Sequence, residues 1–510
     1  MREAFRGGLR SRGAALALLT LVCASAFIGR SVNTSDGAEV VSESLGLFVQ
    51  GHPGFGRIPA AGASTPESAP PAHSKYGLYA SLLPLPTLGP AWLLRRLIGA
   101  SGVDALTALT WSFGTALAAL AFGSLVRALR PGATGPWEVA FVAGTFLWPY
   151  AADSFVEPFA AAGLAAGAAI ALSGRPGVAA AAPWAAACLL KPILWVTVPV
   201  FLLSTALDTR RARSVSGTLP ALGVFAAALC LHGLGNRSLY GSLLETGYGE
   251  EILRFTTPLG DGLFGLLFSP GRSIFLYAPV AAVGLLGLAR ASRPAKILCA
   301  GAPLVLLFVV ARWWSWEGGA SWGPRHLLPV LPLLVAPAVL VSAGAVRAAF
   351  VAGAFINLPG VLVAPGSWDG YAERLRPPAG ASWPAAGPVR VATIPALSPI
   401  VGHAWLAARN LAGIELPKAW LEAGTSEGDP PPTAAESVSP WLLRRAMGLP
   451  RLSPMIPRLL VRSAAGYLAR GEAAKAVPWA REATRLSPAD PDAARLLAYA
   501  EAQLRAAPNR

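Results

Sequence analysis

Charge is scarce in this chain. Of 510 residues only 27 are Asp or Glu and 42 are Lys or Arg, so 14% are charged while 54% are hydrophobic. The mean hydropathy is +0.50. A soluble chain of this length would need far more polar surface, so the shortage argues against a cytosolic protein and for an all-α, polytopic membrane protein. Cysteine is nearly absent as well. Cys23, Cys188, Cys230 and Cys299 all fall inside apolar runs without ligand spacing, which excludes a disulfide framework and a thiolate metal site. The five histidines (His52, His73, His232, His326, His403) show neither His-x-x-x-His nor His-Glu-x-x-His spacing, so a preformed zinc motif is missing too. A long-range pair of His73 with an acid stays open.

The net charge of +15 does not imply nucleic acid. Many of the cations sit in short clusters beside apolar runs: Arg2, Arg6, Arg10 and Arg12; Arg210, Arg211 and Arg213; Arg290, Arg293 and Lys296. That is the residue of the positive-inside rule.

What the chain has in quantity is apolar sequence. Runs fall near 13–29, 78–94, 103–126, 137–151, 155–173, 178–190, 193–207, 216–235, 274–289, 297–311, 327–343 and 348–364. Several are shorter than the roughly 20 residues a helix needs to cross a bilayer. Short or broken helices occur at that depth where protein covers their backbone. The Ala- and Gly-rich stretches 160–171 and 179–187 suit close helix packing in lipid. The first run follows a basic N-terminus and resembles a signal peptide, with Ala24-Ser25-Ala26 as a cleavage site. The many runs that follow favour an uncleaved first span.

Topology turns on whether 78–94 crosses. If it does, Arg127, Arg130 and Arg175 lie outside and Asp153 and Glu157 face the cytoplasm; if it is an interfacial or re-entrant hairpin, the sides exchange. In both cases Thr209–Arg213 is cytoplasmic, and 231–273, 312–326 and everything after about Pro365 are outside. Trp92, Trp137, Trp148, Trp313, Trp314 and Trp322 stand at run ends, where an amphipathic ring prefers the interface.

Three regions are expected: a transmembrane domain over 1–412 with its first outer loop at 30–77, a linker over 413–456, and a helical tail over 457–510. Residues 376–400 and 424–440 are rich in Pro, Ala, Ser and Gly and read as loop and linker. In the tail, Leu460, Ala464, Tyr467, Ala476, Ala480, Ala483 and Pro488 follow the spacing of a tetratricopeptide helix pair. Helices are expected over about 458–470, 473–486 and 491–506; an ordinary amphipathic hairpin fits the same pattern. One repeat with a cap needs support, from the membrane domain or from a protein partner.

Candidate site residues are the charges a membrane protein could have avoided. The loop from 33 to 79 carries Asp36, Glu39, Glu43, His52, His73, Lys75 and Tyr76. Asp36 to Glu39 has capping-box spacing, which alone accounts for the acid; the competing role is a general base or a metal-facing carboxylate. Lys191 interrupts an apolar run before Pro192 and either snorkels or meets an anion. Arg272, in Ser-Pro-Gly-Arg (269–272), has the same two readings. The segment 312–326 is dense in Arg312, Glu317, Trp322, Arg325 and His326. Guanidinium forks match phosphate, whereas an interfacial tryptophan belt explains the rings but not Glu317.

An acid after the first span and a loop ending in a Tyr-containing helix start resemble the GT-C polyprenyl-phosphate-dependent glycosyltransferases, which include protein mannosyltransferases and aminoarabinose transferases. So do Tyr-Ala-Ala-Asp-Ser-Phe-Val-Glu-Pro (150–158), Leu-Leu-Lys-Pro (189–192), Phe-Ser-Pro-Gly-Arg (268–272) and Trp-Gly-Pro-Arg-His-Leu-Leu-Pro (322–329), across about residues 10–410. The resemblance implies an inner-membrane enzyme with an extracytoplasmic active face and C-terminus, acting on a lipid-borne sugar. It implies Asp36 as base, with Asp153 or Glu157 as the second outer acid, and thereby favours the hairpin form of 78–94. No Asp-Asp or Asp-Glu pair follows the first run, so a divalent metal ion is left open as cofactor. The sugar-phosphate donor would meet His73, Lys75, Tyr76, Lys191, Arg272, Arg312, Glu317, Trp322, Arg325 and His326. Two other readings stand: an O-antigen ligase or polymerase, and a non-catalytic transporter or scaffold whose tail recruits partners.

Overall fold

The computed structural model describes residues 35–50, 73–175, 177–207, 214–319, 321–363, 368, 372, 387–411, 455–469 and 471–506. The expected first span at 13–29, most of the first loop and nearly all of the 413–456 linker lie outside the described residues.

Among the described residues, four helical stretches are long and apolar enough to cross a membrane: Gly102–Leu129, Thr218–Tyr240, Arg293–Arg312 and Ala343–Leu362. The rest of the helical body is built from shorter pieces, and proline sets many of the breaks. α1 (Ser35–Gln50) is followed after the loop by α2 (Gly77–Leu82) and α3 (Leu85–Leu93), with Pro84 between them. The run at 78–94 is therefore two short helices, neither of membrane-crossing length. α4 (Arg95–Leu129) bends at Gly99 and carries the first long apolar stretch. The run at 137–151 is shorter in helix than in hydropathy, because only α5 (Trp137–Ala143) is α-helical before a 3-10 turn at Pro149–Ala151.

α6 (Glu157–Leu172) and α7 (Gly177–Leu190) form the hairpin that places the site. Their backbones nearly touch. A Cβ on Gly163 would lie 2.5 Å from the Pro183 carbonyl oxygen, and one on Gly167 would lie 2.8 Å from that of Ala180. Small residues permit that approach, and helix–helix dispersion replaces the hydrophobic drive that lipid removes. A short turn between two helices of similar length brings the start of α6 and the end of α7 to one end of the hairpin.

A 3-10 turn (Pro192–Thr197) leads into α8 (Val198–Ala206), and α9 (Ser214–Tyr240) follows. α10 (Leu259–Phe268) stands where no apolar run was expected, since its Gly260, Asp261 and Gly262 dilute the pattern. After α11 (Ile274–Tyr277) and α12 (Pro279–Leu288), α13 (Arg293–Lys296) continues through a π turn (Ile297–Gly301) into α14 (Ala302–Arg312). The run at 327–343 is two 3-10 segments around α15 (Leu331–Val335), because Pro329, Pro332 and Pro337 each withhold a backbone N–H. α16 (Ala343–Leu362) completes the body, and part of the segment expected as loop at 376–400 is helical in α17 (Gly387–Thr393). α18 (Pro399–Leu411) follows it.

The tail forms α19 (Met455–Ala469), α20 (Ala473–Leu486) and α21 (Pro491–Ala506). Leu459, Leu460, Ala464, Tyr467, Ala476 and Ala480 share one buried cluster with Val40, Val41 and Leu45 of α1, Trp92 of α3 and Val103 of α4. Arg95 donates from Nε to Glu482 and from Nη1 to the Trp92 carbonyl (2.8 Å), with its guanidinium 4.6 Å from the Trp92 ring centre. The tail is seated on the helical body itself.

Candidate functional site

Six charged side chains are buried among the described residues: Glu43, Asp153, Glu157, Lys191, Arg272 and Glu317. An isolated charge there would cost several kcal/mol, so each needs a partner or a job.

Glu157 is the hub. It opens α6, with Pro158 following and the helix N-terminus favouring its negative charge. Lys191 meets it from the far end of α7. Pro192 bars the α conformation at the residue before it, so Lys191 turns extended (φ −139°, ψ 96°) and ends the helix. Its Nζ then donates to Glu157 Oε1, and the Arg325 Nε lies 3.7 Å from the same oxygen. The Arg325 guanidinium also lies 4.5 Å from the Phe155 ring centre. Glu157 Oε2 is buried with no hydrogen-bond partner among the described residues.

Asp153 is 1% exposed just upstream, with Oδ1 accepting from the Ser154 N–H at 3.1 Å. α1 closes on this segment from the other side. A Cβ on Gly37 would sit 1.9 Å from Ser154 Oγ and 2.3 Å from its Cβ, so only glycine allows the approach. The backbone of Asp36, one residue earlier, therefore enters beside Asp153 and Ser154; its side chain lies outside the described atoms.

Arg272 is fully buried and organises the 313–324 loop. Its Nε donates to the Glu317 carbonyl (2.6 Å), Nη2 to Gly319 (2.8 Å) and Nη1 to Gly271 (2.9 Å). Those bonds are reachable because Gly318 and Gly319 take φ of 78° and 63°, a left-handed pair that other residues resist. Trp322 anchors the loop from behind, fully buried. Its Nε1 donates to Asn357 (2.7 Å), and its ring packs edge-on against Tyr277 and His403. These contacts assign Arg272 and Trp322 to holding the loop in place. Glu317 is buried, with its Oε1 3.5 Å from Ser315 Oγ and Oε2 without a hydrogen-bond partner among the described residues. Burial pushes its carboxyl above the usual glutamate range, against the pull of Arg272 and Arg325.

Tyr150 links the parts. Its hydroxyl donates to the Trp322 carbonyl (2.8 Å), and the ring stands within electrostatic reach of Arg325, Glu157, Asp153 and Arg272. Residues from all four short motifs (150–158, 189–192, 268–272, 322–329) thus meet in one neighbourhood.

A second cluster lies where the first loop ends. Glu43, fully buried on α1, accepts from Ser81 Oγ (2.6 Å) and lies 3.1 Å from His73 Nδ1. The open pairing of His73 with an acid is with Glu43, which the sequence reading named among the charges of the first loop without giving it a role. Position 43 falls within the helix pattern of Val41, Leu45 and Phe48, where an acid reads as a solvated face. Lys75 Nζ lies 5.5 Å from the Tyr76 ring centre and 5.9 Å from that of Tyr248. Tyr248 continues edge-on to Trp313, and Trp313 to His326, whose Nε2 is 3.2 Å from the Ser315 carbonyl. An aromatic ladder therefore connects the loop end to the Arg325 segment. Arg312 stands apart at the end of α14, exposed, donating to the Phe255 carbonyl (3.2 Å).

No set of three His, Cys, Asp or Glu side chains able to hold a metal gathers among the described residues. The acids that do converge, Asp153 and Glu157, have Lys191 and Arg325 beside them.

No protein-family model matches the chain, and no curated protein matches it. Among solved structures it is similar to ArnT from Cupriavidus metallidurans bound to undecaprenyl phosphate, at 13% identity and a TM-score of 0.45, covering 92% of this chain and 79% of that one.

Proposed function

We propose that this chain is an integral membrane glycosyltransferase that moves a sugar from a polyprenyl-phosphate donor to an extracytoplasmic acceptor. The observation that carries the reading is the meeting of the cationic pair Lys191 and Arg325 with Asp153, Glu157 and the Gly37 approach of α1. Cations held ready in a site of low polarity are what a departing phosphate requires. Lys191 offers a compact charge and Arg325 a planar fork suited to phosphate oxygens.

In the proposed reaction an acceptor hydroxyl attacks the anomeric carbon. Its proton passes to the Asp36 carboxylate, and the bond from that carbon to the phosphate oxygen breaks with its electron pair leaving on the phosphate. General-base assistance of this kind contributes about 10²- to 10⁴-fold. Glu157 keeps the two cations paired while the donor is absent, and Arg272 holds the Gly318–Gly319 turn that carries Glu317 beside them. Lys75, Tyr76 and His326 line the aromatic ladder, where ring faces suit the C–H surfaces of a sugar. The repeat-like tail is assigned to seating α1 rather than to catalysis.

The test is donor turnover in proteoliposomes, comparing the native chain with Asp36→Asn and Arg325→Ala. Each substitution should lower transfer by about two orders of magnitude or more. Undiminished transfer in both would remove the mechanism.

A further inference from the structure

The chain doubles back when it leaves α9. Gly241, at φ 82°, turns it out of the helix directly after Tyr240, and Leu243 then lies against the helix it has just left. A Cβ on Gly233 would stand 3.5 Å from Leu243 Cδ2, and Asn236 donates from Nδ2 to the Leu243 carbonyl (3.4 Å). Position 233 lies about 10 Å down the helix axis from Tyr240. By Gly247 the chain has climbed back to the end of the first loop, since a Cβ there would stand 2.3 Å from Lys75 Cα. Residues 241–247 therefore dip alongside a membrane-length helix, with Leu243 and Leu244 at the low point. The 23 residues of Thr218–Tyr240 extend about 35 Å against a hydrocarbon core of about 30 Å, so a point about 10 Å below the helix end falls inside the bilayer.

Little protein covers the side chains of this stretch. Leu244 is 91% exposed and Leu253 77%, and Leu243, Ile252 and Phe255 are exposed with them. The face of α9 at the level of the dip is exposed as well, through Leu231 and Leu234. Contiguous apolar surface of this kind is disfavoured against water and fits lipid. The second half of the stretch is strapped to the end of another membrane-length helix, Arg293–Arg312. Thr257 donates from its amide to the Arg312 carbonyl (3.1 Å) and from its hydroxyl to the Trp313 carbonyl (2.9 Å). The Trp314 amide donates to the Arg254 carbonyl (2.9 Å), and the Trp313 indole to that of Glu251 (3.1 Å). Glu245, Glu250 and Arg254, all exposed, and the half-buried Glu251 are interspersed with the leucines. Such a mixture is too polar for the hydrocarbon centre and too apolar for water; it suits the boundary between headgroups and acyl chains.

We propose that residues 241–255 form a lipid-inserted pad, with Leu244 and Leu253 among the acyl chains of phospholipids in the leaflet on the side of the site. The pad does not depend on the donor reading. Its consequence for the site is positional. The pad holds Trp313, which belongs to the aromatic ladder, so the depth at which its leucines rest fixes the ladder at the level of the lipid headgroups.

Depth is measured by nitroxide labelling of the full chain in phosphatidylcholine vesicles, after Cys23, Cys188, Cys230 and Cys299 are each replaced by Ala. Labels are placed through Leu244→Cys and Leu253→Cys. Two exposed positions calibrate the scale, Leu229→Cys in the α9 span and Tyr499→Cys in the tail. Relaxation by a water-soluble nickel chelate should be strong at 499 and lost at 244 and 253, while relaxation by oxygen rises there toward its value at 229. Labels at 244 and 253 as open to the chelate as 499 overturn the pad. Chelate exclusion accompanied by spin–spin broadening between separate chains assigns the surface to a second copy and overturns it equally. The native chain gives a check that needs no substitution. Phosphatidylcholine with a diazirine in its acyl chain should crosslink within 243–255 as well as to the exposed face of α9. Crosslinks to α9 without any in 243–255 contradict the proposal.

Discussion

At the scale of single residues, the site depends on charges that cannot be removed one at a time. Lys191 is 6% exposed and Glu157 1%, and their pairing is what makes either tolerable. Lys191→Met should cost about 3–5 kcal/mol because it strands Glu157 in the interior. Pairing it with Glu157→Gln should return much of that loss, since two neutral groups replace two charges. Denaturant titration in detergent checks this; a single variant as stable as the native protein would show that the Lys191–Glu157 pair does not hold the site together. Much of this was legible beforehand. Lys191 stood out because an apolar run and a following proline leave a lysine few ordinary roles, and Glu157 was named, beside Asp153, through the resemblance of the 150–158 motif. Glu43 was named only as one of the charges of the first loop, without a role. Its burial depends on His73 and Ser81, 30 and 38 positions away, and no local pattern encodes such partners.

At the scale of elements, the α6–α7 hairpin and the seat of the tail decide where the site lies. The hairpin was readable from its small residues. The tail's three helices were readable from their spacing, but the surface that receives them was not, because Val40, Val41, Trp92 and Val103 look like any other apolar residues of a membrane chain. Docking is set by contacts across hundreds of positions, Arg95 with Glu482 among them. Burial works to raise the Glu482 carboxyl, yet the hydrogen bonds from Arg485 and Arg95 outweigh it and hold it below the usual glutamate range. A depressed carboxyl contributes stability above its unfolded value, and that contribution is lost as pH falls through the folded one. Acidification below the ordinary glutamate range should therefore loosen the tail, and Glu482→Gln should loosen it at neutral pH. Hydrogen exchange over 473–506 measures both. Protection that is equal in variant and native protein, and flat with pH, would mean that the apolar seat alone holds the tail.

At the scale of the whole molecule, composition announced a many-helix membrane chain, and among the described residues four helical stretches are long and apolar enough to cross a membrane. The breaks were harder to read. Pro84 splits one apolar run, and Pro329, Pro332 and Pro337 turn another into 3-10 pieces, while hydropathy averages over such interruptions. The broken architecture brings charged helix ends together. Helix ends, rather than helix middles, carry Glu157, Lys191 and Arg325, so charges from distant parts of the sequence can meet without crossing lipid-facing surface.

The claim on which the account rests is that Lys191 and Arg325 hold a lipid-borne phosphate. Native mass spectrometry of the detergent-purified protein with a polyprenyl phosphate, against the matching polyprenol as control, tests it directly. The native chain should retain the phosphate and not the alcohol, and the charge-balanced Lys191→Met/Glu157→Gln variant should fold and retain neither. Equal retention of the phosphate by that variant, or of the alcohol by the native chain, would contradict it.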